Sequence, residues 1–259
     1  MRPVPADSGC DDGQGLIQPT FAGHGTHVAG LVAGREMNGS NDTGACKNCG
    51  LMVWRVSETR CVQTTAGPRV FSGIADESRL IAALVHLGDI GAQIVNMSFG
   101  SPIQNRCVNQ PAQSDAYCLA IPAAELRGVM MVSSSGNDRV ALNFPAEDPR
   151  VVAVGGIKES GAFWEDRLDL SPLFLQWGCV NPALLGPWVN WGAECGSNYF
   201  APDSSPTARQ ESVLPSLDVF STIYTGRDWN PLLECEDTFA GGSNDGYGLC
   251  TGTSMSAPI

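Results

Sequence analysis

From the start of the chain to Ile157, apolar residues fall into two alternating patterns. Short continuous runs read as strands: Leu51-Met52-Val53-Trp54-Arg55-Val56, Gly128-Val129-Met130-Met131-Val132 and Val151-Val152-Ala153-Val154, with Gln93-Ile94-Val95-Asn96-Met97-Ser98 as a buried strand. Between them lie helical patterns. Gly25–Gly34 is a small-residue helix in which Ala29, Gly30 and Ala33 permit close packing. Ser78–Leu87 carries Leu80, Ile81, Leu84 and Leu87 at helical spacing, and Ile121–Arg127 is a third helix. This alternation predicts βαβ units, a parallel sheet and an α/β fold class. From about residue 160 to 250 the order weakens, with Leu217-Asp218-Val219-Phe220 as one further strand. Trp164, Trp177, Trp188 and Trp191 fall in that region and are read as packing an irregular insertion onto the main domain, in preference to forming a carbohydrate- or peptide-binding patch.

Composition narrows this picture without changing it. The chain has 259 residues, 43% hydrophobic and 16% charged, which suits one large packed domain over residues 1–259. Thirty glycines and seventeen prolines predict many turns and long loops. The net charge of −12 argues against a nucleic-acid partner, because phosphate binding needs clustered Lys and Arg. No apolar run reaches the length of a membrane span, so no membrane segment is expected.

Ten cysteines, most in Gly-, Pro- and Asn-rich stretches, point to disulfides and to a secreted or lumenal protein. Cys107–Cys118, Cys179–Cys195 and Cys235–Cys250 are expected neighbouring pairs, with connectivity left open. Zinc and redox readings compete for Cys46-x-x-Cys49. No second Cys or Cys/His pair follows at finger spacing, and the βαβ context of a redox motif is missing. Met1-Arg2-Pro3-Val4-Pro5 opens the chain without an apolar signal core, so a secreted protein would need an upstream segment.

Two motifs carry chemistry. In Gly23-His24-Gly25-Thr26-His27-Val28-Ala29-Gly30 a glycine-flanked histidine opens a helix, a placement that suits proton transfer near neutral pH. A zinc-protease reading needs a glutamate directly after the first histidine and four-residue spacing to the second; here Gly25 follows. In Gly252-Thr253-Ser254-Met255-Ser256-Ala257-Pro258 a serine sits among small residues just before a proline suited to the first turn of a helix, a placement that would expose its hydroxyl at the helix start. His86, on the amphipathic helix, is read as structural or surface-exposed.

Taken together, these segments resemble the subtilisin family of serine peptidases from about residue 7 to residue 259. His24 matches the family's general base and Ser254 its nucleophile. Asp7-Ser8-Gly9 has the form of the aspartate motif, while nearby Asp11 and Asp12 lack the glycine context. Ser98-Phe99-Gly100, within Asn96–Gly100, looks like the strand that pairs with peptide substrate. Ser134-Ser135-Gly136-Asn137 resembles the wall of the specificity pocket, ending in the oxyanion asparagine Asn137, which acts with the Ser254 backbone N–H. Asn143-Phe144-Pro145-Ala146 through Gly155 resembles the strand region that follows. Histidine before serine also separates this order from an α/β-hydrolase, in which serine comes first.

The resemblance implies a three-layer α/β/α sandwich with a mostly parallel central sheet. It also implies a serine endopeptidase working through Asp7, His24 and Ser254 and an acyl-enzyme. Substrates would be proteins or peptides, the chemistry would need no cofactor or metal, and the chain would be a monomer. Structural calcium is frequent in such proteins, and Asp42, Asp138 and Asp245 are candidate ligands without a recognisable spacing. Three cysteine-bearing stretches, about 101–120, 160–215 and 225–250, are read as loop insertions. Asn38-Gly39-Ser40 and Asn41-Asp42-Thr43 are sequons of a surface loop; Asn96-Met97-Ser98 is one that strand burial should silence. In the family a strand leads into the aspartate and a long helix follows the serine. With Val4-Pro5-Ala6 before Asp7 and the end at Ile259, the domain is expected to be incomplete at both ends. The competing function is an inactive relative that only binds peptides.

Overall fold

The computed structural model describes residues 24–35, 44–64, 67–74, 77–100, 106–109, 115–137, 141–164, 196–198, 210–215, 219–222, 235–237 and 247–259. The elements, in chain order, are α1 (His24–Ala33), β1 (Ser57–Thr64), β2 (Gly67–Ile74), α2 (Glu77–Asp89), β3 (Ile94–Met97), α3 (Arg106–Asn109), α4 (Ala116–Leu126), β4 (Met130–Ser134), β5 (Val151–Ile157), β6 (Gln210–Pro215), β7 (Val219–Thr222), β8 (Cys235–Asp237), β9 (Tyr247–Cys250) and α5 (Thr253–Ser256).

A four-stranded parallel sheet, ordered β3-β4-β5-β6, forms the centre of the α/β fold. Its register pairs Asn96 with Val132 and Ser134 with Val154, so the C-terminal ends of β3 and β4 are brought side by side. Helices α2 and α4 pack on each other and supply Leu80, Leu84, Ile121 and Ala124 to a core shared with Met97, Met131 and Val151 from the strands. Met97 and Met131 are at most 2% exposed, whereas Ile94 and Met130, at the starts of β3 and β4, are 59% and 49% exposed, so these runs form strands that are buried toward their C-terminal ends. Helix α4 begins earlier than Ile121 because Asp115 caps it, accepting the Tyr117 N–H at 3.0 Å. Pro122 is therefore interior to the helix.

Helix α5 packs against β4, β5 and β6 and also touches α1. A second, antiparallel sheet, β7-β9-β8, lies along α1. The contact is close: a Cβ on Gly30 would overlap the Ser221 and Thr222 hydroxyls. Those hydroxyls donate to the His27 and Thr26 carbonyls at 2.9 and 3.0 Å. The small residues of α1 thus serve the packing role that their composition suggested.

The run Leu51–Val56 is not a strand. It is largely exposed, with Val53 at 76%, and the first strand among the described residues starts after it, at Ser57. A strand needs a neighbour for its backbone groups, and β1 finds one in β2, with which it forms an antiparallel hairpin. Trp54 instead sets its ring 5.0 Å from that of His86 on α2. Of the run Leu217–Phe220, Val219 and Phe220 open β7, in the antiparallel sheet, while Leu217 and Asp218 lie outside the described residues.

Candidate active site

The site is assembled on the turn that enters α5. Gly252 has φ +144°, a conformation that side chains rarely adopt, and a Cβ there would press on the Asn137 amide nitrogen at 3.2 Å. Asn137 lies just beyond β4. Its Oδ1 accepts from the Thr253 N–H at 2.9 Å and the Thr253 hydroxyl at 2.8 Å, which leaves Nδ2 as the atom turned toward Gly252. Gly136, at φ +107°, donates its N–H to the Thr253 Oγ1 at 3.1 Å. One buried threonine thus locks the end of β4 to the serine turn.

Ser254 follows and is half-buried. Its hydroxyl donates to the Ser98 carbonyl at 3.2 Å, and the Ser98 hydroxyl donates to the Ser254 carbonyl at 2.7 Å. Asn96 Nδ2 donates to the Ser98 hydroxyl at 2.9 Å, so the half-buried Asn96 of the sequon has its amide nitrogen engaged within the strand region. Ser256 fastens the other side of α5, donating to the Leu214 and Pro215 carbonyls at 3.0 Å. Three of the expected segments, Ser98–Gly100, Ser134–Asn137 and Gly252–Ser254, therefore meet at one end of the parallel sheet.

His24 opens α1, which contacts α5. It is half-buried, and burial pushes its imidazole down to about 4 from the usual 6.5, so the ring is neutral at pH 7 and able to accept a proton. Among the described residues Ser254 makes its hydroxyl hydrogen bond to Ser98, not to His24. Asp7 lies outside the described residues, as do Asp42, Asp138, Asp245 and the sequons at Asn38 and Asn41. The neighbouring His27 is fully buried and belongs to the scaffold, its Nε2–H donating to the Val219 carbonyl at 2.9 Å.

Two buried asparagines complete the surroundings: Asn143, which opens the segment matched to the strand region after Asn137, and Asn198, which the sequence did not single out. Asn143 lies between two of the segments: Cβ atoms on Gly100 and Gly136 would each run into it. Asn198 donates its backbone N–H to the Gly136 carbonyl at 2.9 Å, while the N–H of Gly196 bonds the Asn137 carbonyl at 3.1 Å. Ser197 and Asn198 are wholly buried, so part of the stretch read as loop decoration braces the site. Neither has a motif signal; only the demand of Gly136 for a partner could have pointed to them. Trp164 is also fully buried, in line with packing, while Trp177, Trp188 and Trp191 lie outside the described residues.

Cys46 is bonded to Cys49 and Cys107 to Cys118, so the CxxC is a disulfide and one expected pair is present. Cys250 is disulfide-bonded, and the residue facing it across the β8–β9 register is Cys235. Cys179 and Cys195 lie outside the described residues. No helix among the described residues is long and apolar enough to cross a membrane.

The family model for the subtilase family matches residues 8–259, nearly the whole chain. The chain belongs to the subtilase family. Among curated relatives, this subtilase is 27% identical over 236 residues to the thermophilic serine proteinase of Bacillus sp. (strain AK1), covering 91% of this chain and 40% of that protein. It is 30% identical over 235 residues to mycosin-3 of Mycobacterium tuberculosis, covering 83% of this chain and 50% of that one. The described subtilase thus spans half or less of the length of these relatives. Among solved structures, S41 psychrophilic protease matches with a TM-score of 0.53 at 19% identity, over 91% of this chain and 60% of that one. Sphericase matches at 0.51 and 19%, over 92% and 60%. At that identity the likeness supports the fold, a subtilisin-like α/β architecture, and the family supports a serine-type peptidase.

Proposed function

We propose that this chain is the catalytic core of a serine endopeptidase that hydrolyses peptide bonds in proteins or peptides through an acyl-enzyme. The observation that carries the reading is the convergence of Ser98 and Asn137 on the turn bearing Ser254. Ser254 is the nucleophile. Its hydroxyl leaves the Ser98 carbonyl, passes its proton to neutral His24, and bonds to the substrate carbonyl carbon. The oxyanion that forms is met by Asn137 Nδ2 and the Ser254 N–H; one such donor is worth about 2.7–4 kcal/mol of barrier. His24 then gives the proton to the leaving amine, and water repeats the sequence on the acyl-enzyme. Asp7 orients His24 and stabilises its cation, an assignment that rests on the motif alone.

Once the Ser98 carbonyl is released, Ser98–Gly100 offers backbone groups to an extended peptide, while Ser134, Ser135 and Gly136 wall the pocket for the residue before the scissile bond. The chemistry needs no cofactor. We place the protein in a secreted or lumenal compartment on its disulfides, as a monomer acting on peptide chains and not on nucleic acid. The test is intact-mass labelling with a fluorophosphonate beside a Ser254→Ala control. Stoichiometric labelling that disappears in the control is the expected result. A folded chain that is not labelled would leave a peptide-binding relative as the better reading.

A further inference from the structure

Between Gly100 and α4 lies α3, joined to α4 by the Cys107–Cys118 disulfide, and its Arg106 is held in an unusual way for a cation. Arg106 and Asp115 are only 9% and 8% exposed, and the guanidinium forms a two-pronged pair with the carboxylate at 2.6 and 3.2 Å. The same guanidinium lies 5.1 Å from the centre of the Phe144 ring and 5.6 Å from that of Tyr117, whose rings meet edge to face at 4.8 Å. The Arg106 backbone N–H bonds Glu147 Oε1 at 2.9 Å. Arg106 therefore grips the turn from Asn143 to Glu147, itself closed by the Glu147 N–H on the Asn143 carbonyl at 3.1 Å.

That turn forms part of the cleft. A Cβ on Gly100 would sit 3.2 Å from the Asn143 Cβ and 3.3 Å from the Phe144 carbonyl. The Asn143 N–H is tied to the Ser135 carbonyl at 3.1 Å. We infer that Arg106 is a positioning residue: clamped by Asp115, it holds Phe144 and Asn143 between Gly100 and Ser135, so that selectivity for the residue before the scissile bond depends on it. This rests on the peptidase reading of the cleft. A buried pair kept for packing alone could be replaced as a pair by apolar side chains at little cost, whereas removing one member strands the other charge, so stability is read beside selectivity. A flat cation pinned by a carboxylate fixes the orientation of two rings, which an apolar residue or the flexible ammonium of lysine does not do.

The experiment compares Arg106→Lys, Arg106→Met and Asp115→Asn with the wild-type chain. The readouts are Tm, the rate of fluorophosphonate labelling at Ser254, and the ratio of kcat/KM for peptides bearing Phe or Ala before the scissile bond. Expected is a shift of about tenfold in that ratio, the scale of one misplaced pocket contact, with labelling rates within about twofold of wild type. Asp115→Asn keeps the helix cap and should shift the ratio in the same direction by less. Should Arg106→Met not fold, Arg106→Lys alone decides. An unchanged ratio, or equal losses on both peptides and in labelling as Tm falls, overturns the inference and leaves Arg106 structural. A wild-type chain that is not labelled overturns the peptidase reading and this inference with it.

Discussion

Asn137 does two things with opposite ends of one amide: Oδ1 holds Thr253 and Nδ2 faces the serine turn. Asn137→Asp retains the acceptor and loses the donor, so it separates scaffold from chemistry. We expect kcat to fall by about 10²–10³ with KM little changed, read from steady-state peptide hydrolysis. His27 gives a second residue-scale prediction. Burial outweighs the Val219 and Gly248 backbone contacts and holds its imidazole at about 4, below the usual 6.5. Below pH 6.5 the unfolded chain takes up this proton before the folded one, so stability falls as pH drops from 6.5 to about 4 and levels off beneath. Thermal unfolding across that range should show the decline, and His27→Gln should weaken it. The sequence motif singled out His24 of the pair, and burial adds that His27 belongs to the scaffold. His27 points into the β7 backbone, whereas His24 keeps part of its surface.

At the scale of elements, α1 is positioned by a strand nearly two hundred residues away in the chain. Gly30 allows β7 to approach closely enough for Ser221 and Thr222 to bond its helix carbonyls. Gly30→Ala should cost about 1–3 kcal/mol and lower Tm by several degrees in a calorimetric scan. Because α1 also carries His24, labelling of Ser254 should slow in the same variant. Gly136→Ala adds backbone strain at φ +107° and a clash with the Asn143 and Asn198 amides; we expect an equal or larger loss of stability, measured in the same way. The four strands of the parallel sheet divide along these lines: β3, β4 and β5 were readable as apolar runs, while β6 lies at the end of the stretch 160–215 that was read as a loop insertion and is instead a strand of the central sheet, paired with β5. Leu51–Val56 shows the limit from the other side. Its apolar pattern specifies a wish to be buried, not the partner that would bury it.

For the whole molecule, an excess of acidic over basic residues gives a net charge of −12 and a sequence isoelectric point near 4.5. Solubility should pass through a minimum near that pH, followed by light scattering, in the same acid range where His27 weakens the fold. Residue types, their order and the apolar periods determined by themselves the α/β class and the family, and they marked the three segments that the structure brings together. These are local properties: a glycine-flanked histidine or a β-branched run carries its meaning in a few neighbouring residues. Tertiary structure alone decided that Thr253 ties Asn137 to the serine turn, that Asn198 bonds Gly136, and that Arg106 lies over the Phe144 ring. Those contacts join positions tens to more than a hundred residues apart, and their energies come from burial and hydrogen-bond geometry, which no short window of sequence contains.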